Sequence, residues 1–314
     1  MFEDKALDGI VTMKKQTQRM FRTLLGLPKT AIFLVLEAIS NLFVNRNNGS
    51  LISSGEKRYY LLHVPASYDP SRATSLVISI HGFAEWPAHQ AQMSRWNKLA
   101  EQFGFIVVYP SGSGFPKGWR THLEQSRDAM PDVVFISDLI DKLEGNYNID
   151  PERIFANGLS NGAGMSTLLS CELPSCIAAI GVVAGAYTFP WSECPPSRPV
   201  PTIVFHGTAD PTVPYMGGPS EDRQASLPCI PIWVESLARR NGCEPTPIEL
   251  PAQGQVSGVR YNNCVNNAEV IFYTITGGGH SWPGGEPLPA FIVGHTTQDI
   301  DATRSCGIFS NNTP

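Results

Sequence analysis

RIFANGLSNGAGMSTLLSCEL, residues 153–173, changes character part-way along. Residues 153–158 are a short run of the kind that forms a buried strand, and residues 161–173 read as a helix. At the join stands Gly158-Leu159-Ser160-Asn161-Gly162, a G-x-S-x-G. Strand, one-serine turn and helix, in that order, make the sharp bend that presents a serine hydroxyl to the open. Gly158 and Gly162 remove the Cβ atoms that would collide where strand and helix cross. The helix N-terminus beside the serine offers free N–H groups and a dipole that favour developing negative charge. The alternative is a chance pentapeptide in a chain with 28 glycines, and the strand–turn–helix context argues against it.

The same alternation continues on both sides. Residues 58–65, SLVISIHG (75–82), FIVVYP (105–110), IAAIGVVAG (177–185), TIVFHG (202–207) and EVIFYTI (269–275) read as strands. Several are continuous Ile/Val-rich runs, as parallel strands buried on both faces are. Residues 88–103, 131–147, 230–242 and 299–310 carry apolar residues at helical spacing. Strands alternating with helices imply an α/β fold with a mostly parallel central sheet and helices on both faces. Residues 111–130 and 243–268 read as long irregular stretches, which in a compact domain are often functional.

A serine hydroxyl is a weak nucleophile at neutral pH and needs a base. On a strand–serine–helix scaffold the acid and then the histidine follow the serine in sequence. Of seven histidines only His206, His280 and His295 follow Ser160. His280 lies in a Gly-rich loop just past the last buried strand and is the best base. His206, at the end of a strand, reads as a buried imidazole bonded to backbone, and His295 as a surface residue. Asp210, three residues after Gly207, is the best acid, to orient His280 and stabilise its imidazolium. Its competing role is an Asx turn at Asp-Pro. Glu221 and Asp222 have no preceding strand; Asp299 and Asp301 read as caps of the last helix. The oxyanion hole should combine the Asn161 N–H with one from the loop after residues 75–82, Phe83 first and Gly82 second.

HGFAEWP (81–87), GLSNGAGM (158–165), FHGTADPTVPY (205–215) and GGGHSWPGG (277–285) together resemble the signatures of the polyhydroxybutyrate depolymerase/feruloyl esterase group of α/β-hydrolases. The resemblance covers about residues 56–310, with DVVFISDLID, NIDPERIF, NGC and DIDAT also matching. It implies an α/β-hydrolase fold, a triad of Ser160, Asp210 and His280, and a serine carboxylic-ester hydrolase working through an acyl-enzyme. It implies feruloyl or cinnamoyl esters, or short hydroxyalkanoate esters, as substrates, a plant polysaccharide ester among them, and no cofactor. Rival readings are an acyltransferase on the same scaffold and a non-catalytic binding protein of the same fold. Trp282, beside the histidine, is implied to line the substrate pocket; the plainer reading is a core ring. Phe83 stands where the group often has Cys, which alters the oxyanion side of the pocket, and Pro131-Asp132 replaces a frequent Asp-Asp. The resemblance also pairs Cys243 with Cys264. Cys171, Cys176, Cys194 and Cys229 could form two more bridges, and the odd count of seven leaves at least one cysteine over.

Apolar residues make up 42% of the 314 and charged residues 16%, which excludes a disordered chain or a coiled coil. A net charge of −5 offers no general attraction to nucleic acid. No metal-ligand spacing is present. Residues 1–50 read as a separate segment: basic residues precede the apolar run 31–44, the order of an export signal. An amphipathic helix resting on the domain or a membrane surface fits as well. Residues 51–314 then form a single catalytic domain, and the cysteine usage points to a secreted or envelope-associated protein.

Overall fold

The computed structural model describes residues 47–122, 130–187, 191–194, 198–219 and 226–312. The N-terminal segment lies almost wholly outside the described residues, so its reading as signal or amphipathic helix is not addressed by them. No described helix is long and apolar enough to cross a membrane. The expected boundary near residue 50 falls at the start of the first strand.

Ten strands form one sheet: β1 (Gly49–Ser53), β2 (Glu56–His63), β3 (Thr74–Ile80), β4 (Ile106–Pro110), β5 (Ile149–Leu159), β6 (Ala179–Val183), β7 (Thr202–Gly207), β8 (Ile248–Gln253), β9 (Val256–Tyr261) and β10 (Val270–Ile275). Their spatial order is β1-β2-β4-β3-β5-β6-β7-β10-β9-β8. From β4 to β10 every neighbour pair is parallel, and the pairs at both flanks are antiparallel. The helices are α1 (Pro87–Ser94), α2 (Trp96–Phe103), α3 (Pro131–Glu144), α4 (Asn161–Glu172), α5 (Ile230–Arg240), the single turn α6 (Ala290–Val293) and α7 (Ala302–Asn312). This is the α/β-hydrolase architecture that the sequence implies.

Alternation along the strands divides the core. Leu76, Ile78 and Ile80 of β3 face α3, α4 and α5 in one cluster. Val77 joins the other, with Trp96 and Ala100 of α2 and Ala302, Cys306 and Phe309 of α7. Each face of the central strands is covered, so the strands need no polar side.

Two expectations require correction. Residues 88–103 are not one helix: Arg95 adopts φ 59°, a left-handed conformation that ends α1 and starts α2. Residues 243–268 are not irregular either, since they contain the hairpin β8–β9 at the sheet edge. All six β8 residues are exposed or half-buried, so no apolar alternation marks them.

Candidate active site

Ser160 follows β5 directly and caps α4 at φ 56°, ψ −118°. A serine at positive φ is strained, and the surroundings hold it there. Its N–H donates to Val183 O at 2.9 Å, and its carbonyl accepts the N–H groups of Gly164 and Ala186, both at 3.0 Å. The two glycines of the motif are required by close approach. A Cβ on Gly158 would stand 2.4 Å from the Gly162 carbonyl, and one on Gly162 would stand 2.3 Å from Ile80 O.

Asp210 and His280 leave the same edge of the sheet, after β7 and β10. Their loops press together, for a Cβ on Gly207 would meet Gly278 O at 2.2 Å. His280 Nδ1 lies 2.8 Å from Asp210 Oδ2. The other oxygen, Oδ1, accepts the N–H groups of Thr212 and Val213, each at 2.8 Å. The Asx turn read as a competing role therefore coexists with the contact to His280, one oxygen for each. Burial alone would raise the Asp210 carboxyl. His280 outweighs that through its charge and hydrogen bond, helped by His206 and the Val213 N–H, and holds it below the ordinary carboxylate range. An ionised carboxylate only accepts, so the proton between them sits on Nδ1 and Nε2 is left as the basic nitrogen.

His206 is buried and bonds the Val213 carbonyl through Nε2 at 2.9 Å, and burial pushes its pKa down. It braces the Asp210 turn from behind, a backbone-bonding role as read from the sequence. His295 is exposed. Asp301 caps α7 through the Arg304 N–H, whereas Asp299 bonds the Gln255 N–H of the β8–β9 turn. Glu221 and Asp222 lie outside the described residues.

The loop after β3 runs beside the serine: a Cβ on Gly82 would stand 3.5 Å from Ser160 Cβ. Gly82 donates its own N–H to Glu85 Oε2 at 2.9 Å. That leaves Phe83 as the better donor from this loop. Its ring is about half exposed and lies against Gly118. His81 Nδ1 donates to Gly82 O at 2.7 Å, while its Nε2 accepts the Gly112 N–H at 2.9 Å. Burial pushes the imidazole down to about 4, so it stays neutral. The Gly82 carbonyl and the Phe83 N–H belong to one planar peptide, so fixing the first aims the second. The Asn161 side chain holds Trp119 by both backbone groups, accepting its N–H at 2.7 Å and donating to its carbonyl at 3.1 Å. Trp119 Nε1 in turn donates to His81 O at 3.0 Å. Sequence reasoning did not find the parts played by Trp119, Glu85 or the Asn161 amide. The only signal was the length of the 111–130 stretch.

Trp282 requires correction as a pocket residue. It is 1% exposed, packs in the core cluster with Trp96, and donates Nε1 to Thr303 Oγ1 at 2.9 Å. It anchors the His280 loop to α7 and presents no surface to a substrate. Cys243 is bonded to Cys264, and Cys171 to Cys194; Cys176, Cys229 and Cys306 are free thiols. Asp132, beside the departure at Pro131, is buried, pairs with Arg58 at 2.8 Å and accepts the Arg120 N–H at 2.9 Å.

Residues 59–192 match the family model described as Esterase PHB depolymerase. The resemblance read from the motifs is borne out, and the matched span holds Phe83, Ser160 and Asn161 but ends before Asp210 and His280. Feruloyl esterase B of Piromyces equi is 29% identical over 234 residues, 71% of this chain and 42% of that enzyme. Feruloyl esterase C of Emericella nidulans is 28% identical over 251 residues, 78% of this chain and 80% of that enzyme. Among solved structures the fold is similar to that of the acetyl xylan esterase from Aspergillus awamori. Its TM-score is 0.58 at 17% identity, with 83% of this chain and 98% of that one covered.

Proposed function

We propose that this chain hydrolyses carboxylic esters through an acyl-enzyme on Ser160, with His280 as general base and Asp210 as its orienting acid. The observation that carries the reading is the 2.8 Å contact of His280 Nδ1 with an Asp210 oxygen, at the sheet edge where Ser160 is held in a strained strand-to-helix turn. Ser160 Oγ attacks the ester carbonyl as His280 Nε2 takes its proton. The Asn161 and Phe83 N–H groups receive the oxyanion. The intermediate collapses, the C–O bond to the alcohol breaks, and His280 returns the proton to the leaving oxygen. Water, deprotonated by His280, attacks the acyl carbonyl. The acid product departs and Ser160 regains its proton.

Aromatic acyl esters of the feruloyl type are the favoured substrates, because feruloyl esterases are among the relatives matched over most of this chain. Short hydroxyalkanoate esters come second, on the description of the family model. Two disulfides suit an oxidising compartment, so the protein acts outside the cytosol.

Hydrolysis of p-nitrophenyl acetate by the wild type and Ser160→Ala tests the chemistry. The variant is expected to lose roughly 10³-fold or more in kcat. Equal rates would remove Ser160 from the mechanism. Methyl ferulate and hydroxybutyrate oligomers, compared by kcat/KM, then decide the acyl preference.

A further inference from the structure

The oxyanion loop contains a buried charge that the hydrolytic scheme does not use. Glu85 is 8% exposed, and Ala84 before it adopts φ 59°, which folds the carboxylate back onto its own loop. Oε2 accepts the Gly82 N–H at 2.9 Å, and Oε1 lies 3.5 Å from His89 Nδ1 one helical turn on. The Trp86 ring lies against the His89 imidazole with centroids 5.1 Å apart. A Cβ on Gly82 would sit between the two systems, 3.2 Å from Glu85 Oε2 and 3.5 Å from Ser160 Cβ. A carboxylate so close to a developing oxyanion is unfavourable unless a cation accompanies it.

We propose that Glu85 is a positioning residue for ester hydrolysis: its carboxylate clamps the Gly82 N–H so that the Phe83 N–H points at the oxyanion, and His89 supplies the neutralising charge. The proposal rests on the reading of Ser160 as nucleophile. Gly82 is clamped twice, by Glu85 at its N–H and by His81 at its carbonyl. Those two bonds fix the peptide planes on both sides of its Cα. Without Glu85 only the second remains, and the loop can rotate about Gly82.

The charges around the pair are consistent with this arrangement. Burial opposes ionisation of both partners, but each is outweighed by the other: the Glu85 carboxyl is held below its ordinary value and His89 is raised above its own. His81, just after β3, also faces the pair, and Lys117 on the loop after β4 acts on His81. His81 is neutral well above pH 4. As pH rises through the His89 pKa the imidazolium is lost, and an unbalanced carboxylate is left one peptide from the oxyanion. Activity then falls on an alkaline limb that belongs to this pair.

The test compares wild type, Glu85→Gln, Glu85→Ala and Ser160→Ala on p-nitrophenyl acetate from pH 6 to 10. Rates are normalised to the folded fraction measured by circular dichroism. Gln can accept the Gly82 N–H through its oxygen and donate its amide to neutral His89. The Gln variant is therefore expected to retain kcat within about fivefold and to lack the alkaline limb. The Ala variant is expected to lose roughly 10- to 100-fold in kcat, with KM changed less than threefold, short of the full loss of an oxyanion donor. A Glu85→Ala kcat within twofold of wild type, or a Glu85→Gln variant that keeps the alkaline limb unchanged, overturns the proposal. Ser160→Ala at the wild-type rate would instead overturn the underlying reading of the site.

Discussion

Ser160 at φ 56° stores backbone strain that a glycine would not feel. Ser160→Gly is therefore expected to be more stable than Ser160→Ala by about 1 kcal/mol, although both lose the hydroxyl. Denaturant titration of the two variants measures this directly. Equal midpoints would mean that the turn carries no strain. Asp210→Asn addresses the neighbouring question. The amide keeps the size of the carboxylate but can present an N–H to His280 Nδ1, which would drive the proton to Nε2. A loss of roughly 10³- to 10⁴-fold in kcat is expected, by analogy with serine proteases, with little change in KM. At this scale the placement of Ser160, Asp210 and His280 was legible, because all three stand just past strands that could be read. Trp282 was not legible. A tryptophan next to a histidine has the same local signature whether its ring faces substrate or core, and only the packing against Trp96 and Thr303 decides.

The central strands were legible as elements because burial on both faces leaves short, continuous Ile/Val runs bounded by turn residues. The flanking hairpin β8–β9 was not, since an exposed edge strand with Pro251 in it carries no apolar period. The break at Arg95 was hidden for another reason: a left-handed residue between two helices leaves no mark when that residue is not Gly or Asn. Between elements, the Arg58–Asp132 pair ties β2 to the first turn of α3, and Asp132 also holds the Arg120 N–H of the loop that carries Trp119. Arg58 further lies over the Phe135 ring, 4.1 Å from its centroid. Asp132→Ala would leave a buried guanidinium unpaired, at a cost of about 3–5 kcal/mol. Because the loop bearing Trp119 loses an anchor, kcat should fall as well. Urea unfolding and steady-state rates on the same preparation check both. A stable, fully active Asp132→Ala would show that α3 and the loop are held by packing alone.

Across the whole molecule, buried histidines set how stability depends on pH, and they act in opposite directions. His89 has a raised pKa in the folded state, so its pairing with Glu85 stabilises fully below about pH 6.5 and is lost as pH rises through the folded value. His81 and His206 are held neutral by burial, with lowered pKa values. The unfolded chain takes up protons there that the folded chain refuses, so their contribution is present above about pH 6.5 and is lost as pH falls. For His81 the window is defined, since its imidazole titrates only near 4 in the fold. The difference from an ordinary value near 6.5 corresponds to about 3 kcal/mol withdrawn between pH 7 and pH 4. Asp210 and Glu85, both lowered, keep their contributions down to the ordinary carboxylate values near 4 and lose them as pH falls further. Urea unfolding at pH 7, 5.5 and 4 is therefore expected to show stability falling steadily, before the carboxylates protonate. In His81→Asn the amide can still donate to Gly82 O but has no proton to gain, so the loss of stability across this window should shrink by about 3 kcal/mol. An unchanged slope in that variant would mean that the unfolding transition draws its protons from elsewhere in the molecule.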